Sequence, residues 1–189
     1  MKIAVLGAAG LTALALAPAA FAHAIVSPPV AKSKVLQQFT LSVPTEESGT
    51  TTAEIELTVP SGFAIDSFEP SPGWKRSQQA TGSGEEAVIQ KVTWTGGSVP
   101  TGEDAVFRFN ASLTSNTTYV FDVRQTYANG KVVDWNGSES SDTPAPRVES
   151  MSALGGGGTT MLTIIALVLA VVALVLGIVG LVARGRPLA

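Results

Sequence analysis

The sequence predicts an all-β domain, an immunoglobulin/fibronectin-like antiparallel sandwich, followed by a single C-terminal transmembrane helix. Three observations carry that prediction. The apolar residues, 45% of the 189, are concentrated at the two ends of the chain, where charge is almost absent. Between the ends, β-branched and aromatic runs recur at short spacing, separated by Pro, Gly, Ser and Asn. No run of ten or more residues in that middle region carries helical periodicity, whereas Met161 to Ala183 is uncharged throughout.

Met1-Lys2, the apolar stretch Ile3 to Leu16 and the small-x-small exit Ala20-Phe21-Ala22 have the layout of a secretory signal peptide over 1–22. The mature chain then begins at His23. Six strands are expected: Val35 to Val43, Ala53 to Val59, Ala87 to Thr95, Ala105 to Leu113, Tyr119 to Tyr127 and Val132 to Trp135. Period-two alternation is plainest at Ile55, Leu57, Val59 and at Phe107, Phe109. Pro60-Ser61-Gly62, Pro70-Ser71-Pro72-Gly73, Gly96-Gly97 and Asn129-Gly130 read as the turns between them. The last is the strongest hairpin signal, and a type I′ turn is expected there. Six to eight such strands make a sandwich without the cysteine pair of true immunoglobulin domains.

Ser138 to Pro146, polar and proline-rich, reads as the exit from the last strand into a stalk. The domain is therefore drawn over 23–148 and a glycine-rich linker over 149–160. Residues 161–183 would span about 34 Å as a helix, enough for a hydrocarbon core of about 30 Å. Arg184 and Arg186 in the tail 184–189 follow the apolar run at once, so positive-inside logic expects a single-pass protein of the cell membrane, with its domain outside and its C-terminus in the cytoplasm. Thr163, Ala166, Ala170, Ala173, Gly177 and Gly180 fall on one face of that helix, a small-residue stripe of the kind that lets helices pair in lipid.

Composition excludes several functions. Residues 23 to 160 hold 9 Lys/Arg against 15 Asp/Glu, the wrong sign for a nucleic-acid partner. Zero cysteines exclude disulfides, thiolate metal sites and a cysteine nucleophile. A Ser-His-Asp triad would have to use His23 at a chain terminus, and there is no nucleophile elbow or phosphate loop. The chain is read as a non-enzyme. Glu46-Glu47, Glu85-Glu86 and Glu103-Asp104 sit in turn-like contexts and read as solvated surface.

His23 stands apart because processing would free its amine. The α-amine and the imidazole Nδ1 of one residue can then close a six-membered chelate ring on one metal. Their reference pKa values, about 8 and about 6.5, make deprotonating both near neutrality cheap. Two nitrogens in a tetragonal arrangement suit Cu(II).

Six segments extend this reading. His23 follows the signal site, and Val43-Pro44-Thr45-Glu46 ends an early strand. Phe68-Glu69-Pro70-Ser71-Pro72-Gly73-Trp74 and Val92-Thr93-Trp94 come next, then Gln125 through Trp135 (Gln-Thr-Tyr-Ala-Asn-Gly-Lys-Val-Val-Asp-Trp) and Asp142-Thr143-Pro144-Ala145-Pro146. Together, in this order, they resemble the YcnI-like family of membrane-anchored bacterial copper-binding proteins over residues 23 to about 148. The resemblance implies a mononuclear Cu(II) site of the single-histidine brace type, carried over to His23 and Trp135. It also implies an acidic residue, for which Glu46 is chosen, with Glu103 behind it. Indole nitrogen is a poor ligand, so Trp135 is expected to lie over the copper and exclude water, whereas Trp74 and Trp94 are expected in the core. Binding and handing over copper is the expected role, in trafficking or homeostasis, with a membrane copper transporter or another chaperone as partner. Two other readings stand beside it. One is an adhesion or scaffold module without metal, and the other is a copper-dependent oxidoreductase.

Overall fold

Alternate residues of the longer strands are buried, so each presents one apolar face that must be covered. The computed structural model describes residues 23–84, 87–155 and 161–184. The leader, the Glu85-Glu86 pair, residues 156–160 and residues 185–189 lie outside the described residues. Among the described residues, β1 (Ile25–Ser27), β3 (Gln37–Pro44), β8 (Asp104–Leu113) and β5 (Phe63–Phe68) form one sheet, in the order β1-β3-β8-β5. β11 (Val132–Trp135), β10 (Asp122–Tyr127), β4 (Thr51–Thr58), β7 (Val88–Pro100) and β6 (Lys75–Thr81) form a second, in the order β11-β10-β4-β7-β6. Both sheets are antiparallel throughout.

Between them lies one core. Phe39, Leu41, Phe107 and Phe109 come from the first sheet, and Ile55, Leu57, Val92, Trp94 and Val123 from the second. Trp94 stacks on Phe107 with centroids 4.2 Å apart, and Trp74 meets the same ring edge-on at 5.0 Å. Both tryptophans thus pack on the core, Trp94 fully buried and Trp74 partly. The expected immunoglobulin-like sandwich is the fold.

The structure corrects the sequence reading in four places. Gly96-Gly97 is not a turn but lies inside β7, where the register against β4 shifts between Thr52 and Glu54. A Cβ on Gly97 would sit 2.1 Å from the Trp74 ring, so the indole lies against bare backbone here and the strand bulges instead of ending. The Asn129-Gly130 hairpin is real, but only Gly130 has a positive φ (85°). Gly130 N–H donates to the Tyr127 carbonyl at 2.9 Å, which makes a type I turn closed by a left-handed glycine, not type I′.

Ser138 to Pro146 is not a stalk. Gly137 bridges to Pro144, both Ala145 and Pro146 are buried, and the chain returns to form another strand, β12 (Arg147–Met151). β12 lies between β9 (Thr118–Val120) and β2 (Val30–Lys32) in a third small sheet. The boundary at 148, and the linker drawn from 149, therefore fall inside a strand whose Val148 and Ser150 point inward.

The helix α1 (Met161–Arg184) belongs to a separate unit that begins at Leu154. Its Thr163–Gly180 stretch has a mean hydropathy of 3.0, and no part of it is buried within the protein. It is long and apolar enough to cross a membrane.

Candidate metal centre

Strand pairing places the only histidine. β1 pairs with β3 through Ile25↔Ser42, Val26↔Leu41 and Ser27↔Thr40. The ladder ends at Ile25↔Ser42, and His23 lies two residues beyond it, toward the end of the sandwich where Pro44 closes β3. His23 is exposed and its neighbour Ala24 is buried, so the terminus is anchored on the sandwich. Beyond Pro44 the chain is held by backbone bonds on its other side. Thr45 N–H donates to the Glu103 carbonyl, and Gly102 N–H donates to the Thr45 carbonyl, both at 2.9 Å.

Among the buried polar residues at this end is Gln125, on the inward face of β10 between Val123 and Tyr127. A polar group in a core must have its hydrogen bonds satisfied, and Gln125 has three. Its Nε2 donates to the Pro44 carbonyl at 2.9 Å and to Thr52 Oγ1 at 2.7 Å. Its Oε1 accepts the indole N–H of Trp135 at 3.0 Å. Trp135 is 1% exposed, so it belongs to the core. With its N–H given to Gln125, the indole offers a π-face and no ligand nitrogen.

Glu46 follows directly on this segment and is exposed. The phenol of Tyr127 bonds the backbone of Glu46 and Glu47. Burial pushes the Tyr127 pKa up from its ordinary value, and those backbone bonds partly offset the rise. Lys131 pairs with Glu47, which raises its own pKa. On the outer face of the second sheet Arg124 bonds Asp134 at 2.7 Å and holds that carboxyl below the usual range.

On its other side His23 borders a groove of about 350 Å³. Ile25, Pro29 and the segment Pro144-Ala145-Pro146 line it, and Glu139 and Arg147 form an ion pair at its edge, 3.4 Å apart. Among the described residues, no three His, Asp or Glu side chains are grouped as a metal site would need. A histidine whose α-amine is free can itself supply two donors, that amine and an imidazole nitrogen.

Comparison with known proteins bears on the same segments. Residues 23–150 match a family described as a domain of unknown function (DUF1775). The chain belongs to that family. The DUF1775 domain is also 33% identical over 131 residues to the copper-binding protein CutI of Bacillus subtilis (strain 168). That alignment covers 68% of this chain and 61% of the relative, so the chain spans about three fifths of the relative's length. Among solved structures it resembles an uncharacterized protein from Nocardia farcinica with an immunoglobulin-like fold, at 28% identity and a TM-score of 0.58. That match covers 68% of this chain and 97% of the other. The YcnI-like resemblance read from six motifs therefore stands.

Four of the six motifs of this DUF1775 member meet at one end of the sandwich. They are the His23 terminus, the Val43–Glu46 segment, the Gln125–Trp135 hairpin and the Asp142–Pro146 segment that walls the His23 groove. Pro70–Trp74 and Val92–Trp94 serve the core beside them. Sequence reasoning missed Gln125, Thr52, Tyr127 and Glu139 as neighbours of this end. Gln125 carried a usable signal, since a glutamine at an inward position of an alternating strand must be bonded to something. Nothing in the sequence could have brought Glu139 to His23, because only the returning segment does that.

Proposed function

We propose that this protein binds Cu(II) through a single-histidine brace at His23 and hands it on, from outside a membrane in which α1 anchors it. The freed amine and imidazole of His23 would supply two nitrogens, and Glu46 an oxygen. Trp135, which cannot ligate through nitrogen, would close the apolar side of the site. Copper is cargo here, and the chain's own work is to hold it accessibly. The observation that supports the reading is that the chain's only histidine lies two residues before Ile25, whose partner Ser42 lies two residues before Pro44, and that Gln125 ties Pro44 to Trp135. The identity to a copper-binding relative supports the choice of metal. The positive residues that follow the apolar helix support an extracytoplasmic domain.

The test uses the full chain, processed so that His23 is the first residue and held in detergent. His23→Ala and a version with one extra residue before His23 should each lose Cu(II) binding in a competition titration, since each removes or displaces half of the chelate. An extended chain with undiminished affinity refutes the brace. Acid should release the metal as protons compete for both nitrogens.

A further inference from the structure

Among the described residues five polar side chains are buried, and three of them, Thr45, Thr52 and Gln125, stand together at the His23 end. Thr52 Oγ1 accepts from Gln125 and lies 2.8 Å from Thr45 Oγ1. Thr45 is the residue between Pro44 and Glu46. The orientation of the Gln125 amide is forced. Turned over, it would set its NH₂ against the indole N–H of Trp135 and its oxygen against the carbonyl of Pro44, which are two repulsions in place of two bonds.

Apolar side chains at 45, 52 and 125 would strand the Pro44 carbonyl and the Trp135 indole N–H, so the polar trio is needed to satisfy them. Fully satisfied, the network also fixes the positions of the groups it joins. Here those groups are the indole of Trp135, on the edge strand β11, and the Pro44-Thr45 backbone that carries Glu46.

We infer that Gln125, with Thr52 and Thr45, is the positioning element of this site: it ties Trp135 to Pro44 and thereby sets both the shielding indole and the Glu46 segment relative to His23. This rests on the copper reading proposed above. None of the three side chains touches the ion. Gln125 holds Trp135 and the Pro44 carbonyl directly, and Thr52 and Thr45 act through Gln125, as the outer partners of metal ligands do elsewhere.

The experiment compares Thr52→Val, Thr52→Ser, Thr45→Val and a remote core variant, Phe63→Leu, in the full processed chain in detergent. Without copper, Thr52→Val should move the Trp135 indole ¹H–¹⁵N resonance, and Thr52→Ser should leave it near its parent position. With copper, Thr52→Val should weaken Cu(II) binding by about tenfold and change its EPR spectrum, and Thr45→Val should act in the same direction. Thr52→Ser should restore both. Phe63→Leu should lower the melting temperature and change neither.

Parent affinity and parent EPR spectrum in both valine variants overturn the positioning role. So does a Phe63→Leu variant that weakens copper as much as Thr52→Val. If instead His23→Ala leaves the parent's copper binding unchanged, the brace reading itself falls, and the positioning role with it.

Discussion

Trp135→Phe tests the fold and the site at once, and its cost can be worked from the structure. The indole is 1% exposed, and its N–H is given to Gln125 Oε1 at 3.0 Å. Phenylalanine removes three ring atoms and leaves a small cavity, at a cost of about 1–2 kcal/mol. It also strands the Gln125 oxygen, which adds about 1–3 kcal/mol for a buried unsatisfied acceptor. Together these come to about 2–5 kcal/mol. Domains of this size are stable by about 5–15 kcal/mol, so the variant still folds. At about 4 °C per kcal/mol, thermal unfolding followed by circular dichroism should show a melting temperature lower by about 8–20 °C. In the same sample Cu(II) should quench tryptophan fluorescence much less than in the parent, and less than in Trp74→Phe or Trp94→Phe. The double variant Trp135→Phe with Gln125→Leu should cost less than the sum of the two single variants, because both partners of the indole–amide bond are then gone and only the Pro44 carbonyl still lacks its donor. Strict additivity refutes the hydrogen-bond argument, and equal loss of quenching in all three tryptophan variants refutes the placement of Trp135 beside copper.

Three further outcomes are expected. Gly97→Ala puts a Cβ 2.1 Å from the Trp74 ring, so it should destabilise the domain by about 1–3 kcal/mol and blue- or red-shift Trp74 emission; an unchanged melting temperature would mean that the indole does not rest on that backbone. The Asp134 carboxyl is held below its ordinary 3.8 by Arg124, so its stabilising contribution is present above that pH and lost as pH falls below it. The stability gap between parent and Asp134→Asn should therefore close between neutral pH and pH about 2, and a gap constant over that range contradicts the pairing. Ala173→Leu with Gly177→Leu in α1 should weaken helix association in a membrane reporter assay; no change in self-association or partner capture leaves α1 an anchor only.

The parts of the fold that were legible in the sequence are those where burial is one-sided. β8 and β10 alternate cleanly and β4 does so from Glu54 onward, but the single strand expected over Tyr119 to Tyr127 is split at Phe121 into β9 and β10, which join different sheets. β6 was illegible because all seven of its residues are exposed, so an edge strand of Lys, Arg, Ser and Gln carries no period to detect. β12 was hidden differently. It is short, it follows two prolines and a run of polar residues, and its pairing with β2 is parallel and long-range, so neither composition nor spacing announces it. Gly96-Gly97 misled because two glycines mark either a turn or a close approach of another group to the backbone, and only the position of Trp74 decides between them.

The candidate site was legible to the extent that its chemistry depends on residue type. A chain without cysteine and with a single histidine has few ways to hold a soft or borderline cation, and the one that uses a single histidine best puts it at a free terminus. What could not be read was how a terminus acquires a fixed place. Two pairings supply it. β1 holds residues 25–27 against β3, and Gln125 holds the end of β3 against Trp135. His23 itself is exposed, which on the proposed reading leaves an ion free to enter and leave. On that reading the rigidity lies one layer in, on buried uncharged groups, and the exposed histidine would exchange its cargo without the sandwich having to open.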